Sequence, residues 1–336
     1  MIYREFGFVM PDAIPGGDGR FIRKPWSYAQ GYRGVRLDDS YLVIFDGARL
    51  GGGLGEDCAE RVWAIRYPLD QYEPPTFHSL WGADRPDEHE CYRPSLIRAP
   101  SAWPDEQRWL AAYTSARWST VGGILRQHVG LAWAPEPLGP WACDDQVVPP
   151  RDRVPHAPDK QWPPGVWAVA MLVYRGEVIL VVRDASVPQP LIHEVYRIAP
   201  DHSYERIGAI EFPGMALATD VTDVMYGGGG IYVLESPRAH KEVVEWYGAF
   251  SGPWPEKITM KRSGRVFQHP NPHVRTYEAG YMREPDGSVA SPGETVFAAA
   301  EVGRGVVQIG DFWGQMWTSV PSPTLERTPL PVEVIE

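Results

Sequence analysis

The stretch Trp167–Ser186, WAVAMLVYRGEVILVVRDAS, reads as two strands joined by a turn. Two apolar runs, VAMLVY and EVILVV, flank the tight pair Arg175-Gly176. Short runs of this kind, rich in Val and Ile and broken by a glycine turn, predict two antiparallel strands of a hairpin. Both runs are apolar at successive positions instead of alternate ones. A strand covered on both faces needs that pattern, whereas a sandwich strand with one wet face alternates.

Four other stretches repeat the same plan. They are YRGVRLDDSYLVIFDGAR from Tyr32, YRPSLIRAPSAWPDEQRWLAAYTSAR from Tyr92, DVTDVMYGGGGIYVLES from Asp220 and YEAGYMREPDGSVASPGETVFAAAEVG from Tyr277. Each has an apolar run, a turn of Gly, Asp, Ser or Pro, and a second apolar run. The second, third and fourth copies are followed by third strand-like runs, HVGLAWA, LIHEVYRI and EVVEWYGAF. Units of this size cannot bury their faces alone, so they stack or close on themselves. The expectation is an all-β, five-bladed β-propeller in a single domain over residues 1–336. Its blades would span about 31–80, 85–148, 164–212, 216–262 and 272–320. Residues 1–30 would cross the ring or lend it a strand. The Pro-rich stretch 148–165 reads as a long loop between blades, and the Pro-rich tail as a fraying or pairing end. DCAERVWAIR is the best helix candidate, and it also reads as a strand.

Composition limits the function. The 336 residues carry a net charge of −11 and no basic–aromatic stripe, which argues against a nucleic-acid partner. No run approaches the length of a membrane span and no signal-peptide pattern opens the chain, so no membrane partner is expected. Three cysteines, Cys58, Cys91 and Cys143, make no disulfide framework and no metal-ligand spacing. The expectations are a cytoplasmic protein, no metal and no cofactor, and a small-molecule or oligosaccharide substrate. The oligomeric state is left open. Fourteen Trp and sixteen Tyr suit packing between blades, and also suit platforms for flat ligands.

Blade topology narrows the site. The start of each first strand and the end of each second strand meet at one mouth of the ring. The first set includes Arg33, Glu90, Arg93, Trp167, Asp220, Asp223, Arg275, Tyr277 and Glu278. The second includes Asp46, Arg49, Ser115, Arg117, Arg183, Glu235 and Ser236. Charges turned inward must pair, bind or catalyse, because an unpaired buried charge is costly. Carboxylates around a funnel can protonate a glycosidic oxygen and activate water. Glu278 and Asp223 are read as the acid–base pair, with Asp220 or Glu90 in support. Asp220 and Asp223 stand three apart on one strand and so would face opposite ways.

The repeated units, together with YRPSLIRAP, WLAAYTSA and PLGPW at 137–141, resemble the five-bladed propeller glycoside hydrolases of families 43, 32 and 62. SGPWPEKI at 251–258 repeats the last phrase. The resemblance implies a carbohydrate-active enzyme that uses acid/base chemistry in a central funnel. Those families show Asp before Pro-Ser, whereas this chain has Arg93-Pro94-Ser95, and the matching place in the first unit is Arg33. The Glu-Gly-Pro signature of the usual general acid is absent. The arginines give a second idea. Arg33, Arg93, Arg275, Arg49 and Arg117 around one mouth would clamp an anionic sugar, with Trp167 stacked on it and Tyr277 and Asp46 lining it. The alternatives are a repurposed propeller acting as a cyclase, lyase or isomerase, and a non-catalytic carbohydrate-binding propeller.

Overall fold

The computed structural model describes residues 13–15, 21–23, 26–49, 61–69, 76–82, 89–118, 125–148, 166–184, 192–215, 220–236, 242–267, 276–290, 296–301, 314–318 and 334–335. Strands β1 (Ala13–Pro15) and β2 (Phe21–Arg23) form a separate hairpin. The first repeat holds β3 (Trp26–Arg36), β4 (Ser40–Arg49), β5 (Arg61–Pro68) and β6 (Thr76–Trp81). The second holds β7 (His89–Arg98), β8 (Trp109–Trp118), β9 (Leu125–Ala134) and β10 (Ala142–Val148). The third holds β11 (Val166–Tyr174), β12 (Glu177–Asp184), β13 (Ile192–Ile198) and β14 (Tyr204–Glu211). In the fourth are β15 (Asp220–Gly227), β16 (Gly230–Ser236), β17 (Val243–Ala249), β18 (Lys257–Thr259) and β19 (Lys261–Phe267). The fifth holds β20 (Thr276–Arg283), β21 (Val296–Glu301) and β22 (Gly314–Thr318), and β23 (Val334–Ile335) follows. The helix candidate resolves as β5 from Arg61 onward. Val62, Trp63, Ala64 and Ile65 are buried there, where β-branched and aromatic residues pack well on a pleated surface.

The fold is an all-β propeller, but its described strands make four large sheets and not five. The physical reason is one short seam. Met282 and Arg283 of β20 pair in parallel with Gly34 and Val35 of β3, so the fifth repeat is hydrogen bonded into the sheet of the first. The tail strand β23 also joins that sheet, in parallel with Phe77 and His78 of β6. β18 leaves its own repeat and pairs with β14 of the third. Residues 149–165, the expected loop between the second and third repeats, lie outside the described residues.

The remaining contacts between successive repeats are apolar. Val35, Ile44 and Trp81 of the first repeat pack with Leu96, Ala111 and Tyr113 of the second. Leu110 and Ala112, on the opposite face of β8, pack with Ala168, Met171 and Leu180 of the third. Ile179 and Val181, on the opposite face of β12, pack with Val224, Ile231 and Val233 of the fourth. Met225, Leu234 and Val243 then meet Ala279 and Tyr281 of the fifth. The period-2 geometry of a strand sends successive side chains to the two neighbours. That is why the runs in the third repeat are apolar throughout. Truncating one of these residues, such as Leu180→Ala, removes contacts and leaves a cavity, at a cost of about 2–5 kcal/mol.

Two arginines hold the axis. Arg33 of β3 donates through Nη1 to the carbonyl of Arg93 at 3.0 Å and to that of Pro94, and through Nη2 to the carbonyl of Thr222. Arg283 of β20 donates through Nη1 to the carbonyls of Met171 and Val224, at 3.2 and 3.1 Å, and through Nη2 to Ser95 Oγ at 3.0 Å. Both flank Asp223 Oδ1, at 3.7 and 3.4 Å. The first strands of all five repeats are tied together by these contacts, and all three charged side chains are buried.

One end of the axis is crossed by the turn that follows β20. Arg98 N and Val173 N, at the ends of β7 and β11, donate to the carbonyls of Pro285 and Asp286, each at 2.7 Å. Tyr226 N donates to Gly287 O at 3.3 Å and Val289 N to Tyr226 O at 2.9 Å. Arg36, at the end of β3, pairs with Glu284 at 3.6 Å. Asp286 fixes the turn by accepting from Ser288 N at 2.9 Å, from Ser288 Oγ and from the Tyr226 hydroxyl, both at 2.6 Å. Burial, and then the hydrogen bond to Asp286, hold the Tyr226 phenol well above its ordinary value.

Candidate functional site at the bulged end of the ring

The opposite end is built from a repeated backbone device. Each first strand breaks register with its second strand at an equivalent place. The breaks fall between Gln30 and Arg33, Tyr92 and Ser95, Ala168 and Ala170, Val221 and Asp223, and Tyr277 and Gly280. A β-bulge leaves residues unpaired and re-aims their side chains, and bulges concentrate at rims and beside functional sites. Here the residues outside the ladder are Gly31 and Tyr32, Arg93 and Pro94, Val169, Thr222, and Glu278 and Ala279. The bulge at Thr222 also removes the simple alternation on which opposed directions for Asp220 and Asp223 rest.

Arg93 has the most constrained backbone of the set. Its φ is 56°, in the left-handed region that a non-glycine residue seldom occupies. Both sides of the residue are held. Its N–H donates to Asp46 Oδ1 at 2.9 Å, and its carbonyl accepts from Arg33. The guanidinium carbon of Arg93 then lies 4.6 Å from the centre of the Trp167 ring, and that of Arg183 lies 4.7 Å from the same ring. Guanidinium over an indole face is a favourable cation–π arrangement. Trp167, expected to stack on a ligand, is thus engaged by two arginines. Trp167 and Arg183 are direct partners across β11 and β12, and His193 of β13 is the next partner of Arg183. Ala168 N donates to Thr114 Oγ1 at 3.0 Å, which pins this layer to the second repeat.

Electrostatics separate the buried groups. His193 is buried against Phe212, with ring centres 5.1 Å apart. Its imidazole is pushed down to about 3, by burial first and by the positive charge of Arg183 second. A neutral imidazole results at any pH near neutrality. The Tyr32 phenol is held well above its ordinary value by burial and then by the charge of Asp46. Glu235 accepts from Trp246 Nε1 at 2.5 Å, and Trp246 packs edge-on to Phe212.

The residues expected at the mouth separate into three groups. Arg93, Trp167 and Asp46 come together, and Arg183 joins them. Arg33 and Asp223 lie in the buried axial cluster. Asp223 accepts from Val224 N on Oδ1 and from Tyr281 N on Oδ2, each at 2.9 Å, beside its two arginines. That environment makes it a fixed counter-ion. Glu90, Asp220, Tyr277 and Glu278 stand at the bulged ends of β7, β15 and β20, and Arg49 and Arg117 on β4 and β8. Their side chains lie outside the described residues, as does Arg275 altogether. Arg283 and His193 were not among the residues expected from the sequence. No cluster of metal-ligating side chains occurs among the described residues.

The architecture has counterparts among solved structures. A family 117 glycoside hydrolase of the marine bacterium Zobellia galactanivorans superposes with a TM-score of 0.54 at 12% identity, over 95% of this chain and 93% of that one. The α-L-arabinofuranosidase of Podospora anserina, solved with cellotriose, gives 0.52 at 10% identity, over 94% and 96%. A family 32 β-fructofuranosidase of Bombyx mori gives 0.54 at 13% identity, over 94% of this chain and 61% of that longer one. No protein-family profile and no curated protein sequence matches the chain. At such identities the likeness concerns the fold, and the fold is that of the propeller glycoside hydrolases.

Proposed function

We propose that this chain is a carbohydrate-active propeller of five structural units that takes one sugar ligand at the bulged end of its ring. The observation that carries this reading is the convergence of five bulged first strands on one end, while the turn 284–290 crosses the other. The neighbours with this architecture are glycoside hydrolases, and one of them was solved with cellotriose. Acid–base chemistry on a glycosidic bond is assigned to Glu278, with Asp220 and Glu90 in support, because all three stand at the bulged ends of first strands. Asp223 is assigned the axial counter-ion role.

The test is product release from a panel of oligosaccharides, run beside thermal stabilisation by the same sugars. Loss of about 10²–10⁴-fold in turnover in Glu278→Gln, with unchanged melting temperature, is the expected result. Absence of both cleavage and stabilisation with every sugar tested overturns the reading. One observation favours a second, non-hydrolytic reading. Arg93 stands where the resembled families place an acid, and its backbone is fixed on both sides by Asp46 and Arg33. Stabilisation without cleavage is the outcome that supports this second reading.

A further inference from the structure

We propose that Trp167, Thr222 and Ser236 hold hydroxyl groups of the sugar at the bulged end, Trp167 donating through Nε1 and the other two through hydroxyls that donate and accept. The inference rests on the sugar site proposed above and names residues that read the ligand there. The binding element of Trp167 is the edge of its indole, since two guanidinium groups already lie over the ring. Three observations support the assignment.

The first is a shared state of the three side chains. Trp167, Thr222 and Ser236 are 6%, 2% and 1% exposed, and Trp167 Nε1, Thr222 Oγ1 and Ser236 Oγ have no hydrogen-bond partner among the described residues. Buried polar groups are ordinarily paired, and leaving one unpaired costs stability. The second is placement. Trp167 stands at the start of β11, Thr222 is the residue outside the ladder at the bulge of β15, and Ser236 closes β16 opposite Asp220. All three therefore belong to the bulged end, in two successive repeats. The Thr222 carbonyl accepts from Arg33, which fixes the backbone that carries the hydroxyl. The third is a contrast with two other buried hydroxyls. Ser95 Oγ accepts from Met171 N at 2.8 Å and from Arg283 Nη2 at 3.0 Å. Thr114 Oγ1 accepts from Ala168 N at 3.0 Å. Those two hydroxyls join repeats and are satisfied by the protein, whereas Thr222 and Ser236 join nothing. A sugar hydroxyl both donates and accepts, so it suits an indole N–H and two side-chain hydroxyls, none of which carries a charge.

The experiment is titration calorimetry of the full chain with cellotriose, sucrose and arabinotriose, beside the melting temperature of each variant without sugar. Thr222→Val and Ser236→Ala each remove a hydroxyl, and Trp167→Phe removes the N–H while keeping a ring beside the guanidinium groups. Each should weaken binding of the sugar that the wild type takes by about threefold or more, as loss of one neutral hydrogen bond does. Thr222→Ser keeps the hydroxyl and should retain most of the wild-type affinity. The melting temperature of the sugar-free protein should hold or rise in Thr222→Val and Ser236→Ala, since an unpaired buried hydroxyl is removed. Unchanged binding in those two variants assigns the hydroxyls to buried water, overturns the inference and leaves the carbohydrate reading intact. A clear fall in their sugar-free melting temperature overturns it as well, because it reveals a structural partner. Absence of binding by the wild type with every sugar overturns both readings. Because Thr222→Val and Ser236→Ala change little besides a hydroxyl, a poorly folding Trp167→Phe leaves the inference open to refutation.

Discussion

The guanidinium of Arg33 lies 3.7 Å from the carboxylate of Asp223, and both side chains are sealed from water. Arg283 approaches the same carboxylate at 3.4 Å from the strand of another repeat. Around them, backbone carbonyls of the second, third and fourth repeats accept guanidinium hydrogens from both arginines. A propeller needs its first strands fixed relative to one another, and here a polar cluster does so at the axis.

Removing the shared carboxylate should be severe. Asp223→Ala leaves two buried guanidinium groups without this counter-ion, and breaking a buried pair from one side costs about 3–5 kcal/mol. Urea denaturation monitored by tryptophan fluorescence should show a lowered midpoint of that size. A loss below about 1 kcal/mol would show that water or rearrangement replaces the carboxylate.

Gly280 lies at a close approach of the fifth repeat to the first. A Cβ there would overlap the Tyr32 carbonyl oxygen and the Arg33 side chain. The oxygen is backbone and cannot swing away. Gly280→Ala should cost about 1–3 kcal/mol, the usual range for overpacking. A neutral effect in the same urea assay would mean that the seam between β20 and β3 is looser than described.

His193 gives the protein an acid limit. Its folded value is about 3 against an ordinary 6.5, so the unfolded chain takes up the proton first. The stability contributed by the neutral ring is complete above pH 6.5 and is lost as pH falls toward 3. The slope reaches at most about 1.4 kcal/mol per pH unit for one proton. His193→Phe should flatten the stability profile between those values. An unchanged acid profile would show that the imidazole is solvated in the folded state.

The turn crossing the far end should open when its aspartate is lost. Asp286→Ala removes three hydrogen bonds, to Ser288 N, Ser288 Oγ and the Tyr226 hydroxyl. A stability loss of about 1–3 kcal/mol is expected. Hydrogen exchange should accelerate at the Val173 and Tyr226 amides, whose acceptors lie in that turn. Unchanged exchange there would mean the turn holds its place without the carboxylate.

The strand content was readable because its cause is local. In VAMLVY and EVILVV, alternate residues pack against the second and the fourth repeats, so both faces had to be apolar. The joining of the fifth repeat to the first was not readable, since a two-residue parallel pair leaves no periodic trace. The axial cluster was hidden for a different reason. Arg283 follows its bulge at the same distance as Arg36 and Arg98 follow theirs, yet Arg36 and Arg98 reach solvent and Arg283 is fully buried. Nothing in the local sequence separates the three, because the difference lies in Ser95, Met171 and Asp223, which only the closed ring brings near. Arg93 and Trp167 could be placed near the starts of first strands from the sequence. Their mutual contact was not readable, since it depends on a bulge that turns Arg93 inward.

The most direct test is a crystal structure grown with cellotriose. A sugar is expected at the bulged end, beside Arg93, Arg183 and Trp167. A sugar found at the end crossed by the turn 284–290, or on the outer strands, would contradict the proposed site, as would an empty bulged end.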